Sequence, residues 1–121
     1  MSLNVVMLSG KLYPLANKGY GEKQATKCVV NKVAGDKSVC TFSVAVEKQY
    51  STEKKMDYLT CVAWGANADF IGKYGVRGNP IVVEGRLENR RWTDKDGNEK
   101  FVTEVQVNKV ELPRHGGEDN G

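Results

Sequence analysis

Flat aromatic rings and long cations recur together in the polar stretches of this 121-residue sequence. Tyr58 and Trp64 share one parity of an alternating segment. Arg86, Arg90 and Trp92 share one parity of another, and Tyr50 follows Lys48 close to Lys54 and Lys55. Two tryptophans in polar segments of so small a protein need a reason, because large apolar rings normally go inside. Unpaired bases lay their faces on such rings, while lysine and arginine neutralise the phosphates between the bases. A duplex hides its base faces, so stacking rings imply a single strand. Core packing is the competing use of the same rings. Val62 shares the side of Trp64 and a helical segment follows directly, which leaves Trp64 and Tyr58 open to a core reading. Trp92 sits among Arg90, Arg91, Thr93 and Asp94 and reads as surface. Tyr50 lies past Glu47, where strand parity stops being informative.

Little else in the chain could do chemistry. Cys28, Cys40 and Cys61 are an odd set without CxxC spacing, and the single histidine, His115, stands in a Gly-rich end, so neither a disulfide framework nor a metal site is expected. Cys61 falls at an inward strand parity, where a small hydrophobe is the ordinary reading. The glycines form no phosphate-cradling GxxxxGK[ST] pattern. No acid and base pair with a pocket to hold it can be named, so an enzyme is not expected and no cofactor is implied.

Charge agrees with a polyanionic partner. Residues 1–60 carry nine lysines against five carboxylates, residues 61–103 seven basic against six acidic groups, and residues 104–121 two against four. Mean hydropathy is −0.50, and the longest apolar runs fall far short of the roughly 20 residues a membrane helix needs. The amino end has no charged start followed by a long apolar run, so a cytoplasmic location is expected.

The elements that must position these residues are mainly strands. Leu3 to Leu12 is apolar on both faces, more than one core needs, which leaves room for another subunit. Tyr13 to Lys37, with Pro14, Gly19, Gly21 and Gly35, reads as a long loop that holds a short extra strand between Thr26 and Val33. Val39 to Gln49 alternates with Cys40, Phe42, Val44 and Val46 inward. Asp57 to Trp64 alternates with Leu59, Cys61 and Ala63 inward. Ala66 to Tyr74 is the one helical candidate, with Phe70 and Tyr74 four apart. Ile81 to Trp92 places Ile81, Val83 and Leu87 inward, Asp96-Gly97 is a hairpin turn, and Phe101 to Leu112 returns. This predicts a mainly β fold: a five-stranded OB-type Greek-key barrel with one short helix between the third and fourth strands and a long final hairpin. The domain spans residues 1–112, and residues 113–121 have the composition of a disordered polar tail.

The sequence resembles the bacterial-type single-stranded DNA-binding proteins. The resemblance is carried by Val82-Val83-Glu84-Gly85-Arg86-Leu87, Arg90-Arg91-Trp92-Thr93-Asp94, Gly97 and Thr103-Glu104-Val105. Asn4-Val5-Val6 with Gly10-Lys11-Leu12, Phe42-Ser43-Val44-Ala45-Val46, and Trp64-Gly65 before Ala68 and Tyr74 add to it. It implies an OB fold, assembly as a homotetramer, and sequence-tolerant binding of single-stranded DNA in replication, recombination and repair, near the nucleoid. The family's base-stacking rings fall on Tyr50, Tyr58, Trp64 and Trp92, the rings already singled out. The cations expected to meet phosphates are Lys11, Lys48, Lys73, Arg77, Arg86, Arg90, Arg91 and Lys100. Two places depart from the family pattern: Tyr13 to Lys37 is longer and does not match, and the sequence ends at Gly-Glu-Asp-Asn-Gly rather than in an acidic Pro-Phe tip that recruits replication and repair proteins. The rival readings are an OB-fold primosome or replisome adaptor working through protein contacts, and an RNA-binding OB module.

Overall fold

The computed structural model describes residues 2–15, 26–50 and 52–113. Six strands and one helix follow in the order β1 (Val6–Pro14), β2 (Asn31–Val33), β3 (Lys37–Glu47), β4 (Met56–Trp64), α1 (Ala66–Tyr74), β5 (Pro80–Thr93) and β6 (Glu99–Glu111). Five strands close into a barrel, each bonded to the next in the order β1, β5, β6, β4, β3 and back to β1, while β2 adds to the edge of β3. Closure removes the bare edges that would otherwise invite pairing with other chains. All pairings are antiparallel except β4 with β6, where Cys61 lies across from Val105 and Val62 across from Gln106. This is the OB-type barrel that the alternation predicts, with its helix between β4 and β5.

Period-two alternation builds the interior. Leu12, Phe42, Val44, Cys61, Ile81 and Val83 are fully buried, joined by Cys40, Val105 and Val107. The helix α1 adds Ala68 and Ile71 to the same core. It begins just after Gly65, a residue at φ 60°, a conformation that L side chains rarely adopt.

Barrel curvature requires one strand to serve two neighbours. β1 pairs with β5 from Val6 to Lys11 and with β3 from Lys11 to Pro14. Gly10 sits at this corner, where a methyl group would run into the carbonyl of Ala45. Gly85 marks a register shift in β5 and faces the carbonyl of Gln106 just as closely. Ahead of β1, the Asn4 side chain continues the ladder: its Nδ2 donates to the Leu87 carbonyl and its Oδ1 accepts from the Leu87 N–H, both at 2.9 Å.

Beyond the barrel body β5 and β6 run on as a two-stranded arm. Its turn is held by Asp94, whose Oδ1 accepts from the N–H groups of Asp96 and Asn98 at 2.9 Å, with Gly97 at φ 82°.

The structure corrects three expectations. Leu87 is not core: it shares the inward parity of Val105, directly across from it, but lies where the arm leaves the barrel and is exposed. Tyr13 and Pro14 belong to β1 rather than to a loop, because β1 continues along β3 after leaving β5. The extra strand is limited to Asn31–Val33, with an isolated bridge from Lys27 to Val76. Residues 16–25 of the long segment and residues 114–121 of the expected tail, with His115, lie outside the described residues.

Candidate nucleic-acid interface

The outward parity of β4 carries Tyr58 and Trp64, six residues and so about 20 Å apart along one strand. Tyr58 is 58% exposed and Trp64 43% exposed, so neither ring is spent on the core. Little covers them across β3: Tyr58 lies across from Ala45 and Trp64 across from the half-buried Val39, and the Tyr13 ring meets Tyr58 only edge to face. The Trp64 indole Nε1 donates to Gln106 Oε1 on β6 at 3.1 Å, which fixes the ring's edge and leaves a face open.

Trp92, 44% exposed, stands on the arm directly across from Lys100. Arg90, two residues back on the same face, places its guanidinium 5.4 Å from the indole centroid. Arg90 is itself held by Glu104 through two hydrogen bonds, Nη2 to Oε2 at 2.9 Å and Nε to Oε1 at 3.3 Å. That fork geometry suits arginine and carboxylate. Donating to Glu104 holds the guanidinium still more firmly protonated. Glu104 is only 4% exposed, so removing Arg90 would leave a carboxylate buried without its partner.

Tyr50 is fully exposed at φ 63° in the connection between β3 and β4. It stands apart from the barrel face, and no ring or cation contact joins it to the other three aromatics among the described residues.

The eight candidate cations divide by partner. Lys48 pairs with Asp57, Arg86 with Glu88 at 3.5 Å, Arg90 with Glu104, Arg91 with Glu99 at 3.5 Å and Lys100 with Asp94 at 3.9 Å. Lys11, Lys73 and Arg77 form no ion pair among the described residues. Lys73 lies 5.3 Å from the Tyr74 ring and Arg77 5.2 Å from the Tyr13 ring. Exposed ion pairs contribute only about 0–1 kcal/mol, so the paired surface cations can exchange a carboxylate for a phosphate at little cost. Arg90 is the exception, because its partner is buried.

Three residues that frame these rings were not singled out from the sequence: Tyr13, Glu104 and Gln106. Glu104 and Gln106 share the outward parity of β6, opposite the buried Val105 and Val107, and that alternation was the available signal. The β4 to β6 pairing that brings Gln106 to Trp64 joins segments more than forty residues apart, which no local pattern shows, whereas Glu104 reaches Trp92 through Arg90 across the β5–β6 hairpin.

The site offers no nucleophile in Cys61. It is fully buried, and burial pushes its thiol up to about 12, which removes the thiolate that reactivity at neutral pH requires.

The chain is 34% identical over 85 residues to "Single-stranded DNA-binding protein A" of Bacillus subtilis (strain 168), covering 66% of this chain and 49% of that protein. It is also 34% identical over 84 residues to "Single-stranded DNA-binding protein 2" of Streptococcus agalactiae serotype III (strain NEM316), covering 67% of this chain and 63% of that protein. The matched region thus spans about half to two-thirds of the length of these relatives. The model of the single-strand binding protein family matches residues 3–113, nearly all of the described barrel and arm, and the chain belongs to that family.

Proposed function

We propose that the chain binds single-stranded DNA with little sequence preference and shields exposed strands during replication, recombination and repair, as a binding protein rather than an enzyme. The observation that carries this reading is the half-exposed placement of Tyr58 and Trp64 on the outward side of β4 and of Trp92 on the β5–β6 arm, with β6 lying between the two strands. Rings held at an edge with a face left open suit stacking by any base, and stacking tolerates sequence. Tyr50 supplies a fourth ring from the β3–β4 connection. Phosphates are met by Lys11, Lys73 and Arg77, which have no carboxylate to leave among the described residues, and by Lys48, Arg86, Arg91 and Lys100, whose partners are exposed. Arg90 acts chiefly on Trp92, through its contact with the indole.

Competition between oligo-dT, duplex DNA and oligo-U of equal length tests the reading. Preference for oligo-dT over duplex supports it. Equal binding of the duplex contradicts the stacking basis, and preference for oligo-U moves the function to RNA.

A homo-oligomer, assembled as a tetramer, belongs to the same proposal, as does a cytoplasmic, nucleoid-associated location. Leu3, Val5 and Met7 share one parity at the start of the chain and are exposed. Met7 opens onto a depression of about 270 Å³ between β1, β5 and β6, lined also by Val82 and Val110 and, at its polar side, by Glu84, Lys109 and Glu111. An apolar row of this kind on a small protein suits burial against a second copy.

A further inference from the structure

Tyr13 on β1 and Tyr58 on β4 lie on either side of β3, Tyr13 across from Ser43 and Tyr58 across from Ala45. Neither Ser43 nor Ala45 has the reach to separate two aromatic rings. The rings therefore close over β3 and meet edge to face, with centroids 5.5 Å apart and planes at 81°. Such pairs favour this geometry because the positive edge of one ring meets the negative face of another. Ser43 and Ala45 are buried although both point away from the barrel interior. The open side of Tyr58 remains in solvent.

Uncommitted positive charge borders the pair. The Arg77 guanidinium lies over the Tyr13 ring, and Lys11 is in register with Ala45 and Tyr58 across the sheet. Neither cation has a carboxylate partner among the described residues, whereas the cations around Trp92 do.

We infer that Tyr13, Tyr58 and Arg77 form a single nucleotide subsite, resting on the single-strand reading above. One base stacks on the open face of Tyr58, and the adjoining phosphate is neutralised by Arg77 with Lys11. Tyr13 is the positioning residue, holding the Tyr58 ring upright and carrying the guanidinium.

The test is the binding of a fluorescein-labelled oligo-dT, followed by anisotropy at several salt concentrations, for the whole chain and five variants. Tyr58→Ala is expected to weaken binding roughly 5- to 150-fold, the range for one lost stack. Tyr13→Leu keeps an apolar cover over Ser43 and Ala45 and is expected to weaken binding about 5-fold or more. The double variant should bind no more weakly than Tyr58→Ala alone, because Tyr13 acts through Tyr58. Tyr13→Phe keeps the ring and is expected to bind as the parent does. Arg77→Gln, at an exposed position outside the core, should lower the slope of log K against log salt by about 0.7, one phosphate's share for a single strand. A folded Tyr13→Leu variant with unchanged affinity overturns the inference, as do losses that multiply in the double variant or an Arg77→Gln variant with the parent's salt slope. Absence of oligo-dT binding by the parent overturns the function itself, an outcome distinct from these.

Discussion

Individual side chains carry the binding account, and each ring makes its own prediction. Trp92→Ala should cost about 1–3 kcal/mol of oligo-dT affinity with little change in Tm, because the ring stands on the arm and covers no core; isothermal titration alongside thermal unfolding reads both. Gln106→Leu should free the Trp64 edge, visible as a shift of its fluorescence emission and a weaker quench at saturation. The buried Cys61 gives a pH prediction. Its folded thiol is pushed up to about 12 against an ordinary 9.0, so above pH 9 the unfolded chain ionises and the folded chain does not. Its contribution to stability is whole below that pH and is lost as pH rises toward 12, at about 1 kcal/mol per pH unit. Tm measured from pH 8 to 10.5 should fall less steeply in Cys61→Ala than in the parent.

Strands and their corners decide where those side chains stand, and they explain how much the sequence could reveal. The helix Ala66–Tyr74 was legible residue for residue, because its spacing is local and Gly65 and Gly75 flank it. The alternation of β3 and β4 was legible too, since both strands run beside each other along their length. Parity misled at Leu87, where the inward side of β5 continues past the end of the core, and no local pattern marks where an arm leaves a barrel. Tyr13 was read as loop because Pro14 follows it, yet a strand that changes neighbours at Gly10 can end on a proline. The exposure of Trp64 depended on the outward residues of β3, a neighbour that composition alone does not identify. Two predictions belong here. Gly10→Ala should destabilise the barrel by at least about 1–3 kcal/mol, the usual cost of overpacking, read from denaturant unfolding. Replacing Arg91–Phe101 by a tight Asn-Gly turn keeps Arg90 on Glu104 and in register with Val102, and should leave the barrel folded while lowering oligo-dT affinity, since that segment carries Trp92 and two of the candidate cations but no core residue.

At the scale of the whole molecule, a closed barrel presents Tyr58 and Trp64 outward on β4, while the arm that leaves it carries Trp92. The apolar row Leu3, Val5 and Met7 predicts a particle of several 13.4 kDa chains in solution; Val5→Asp with Met7→Asp should shift the mass measured by light scattering toward the single chain. The central claim is that unpaired bases stack on the tryptophans while cations neutralise the backbone. Its most direct test is a titration of the unlabelled protein with oligo-dT, followed by intrinsic tryptophan fluorescence at low and at high salt. The account predicts strong, saturable quenching whose midpoint moves to higher oligonucleotide concentration as salt rises. A titration in which the strand neither binds nor quenches at low salt would contradict it.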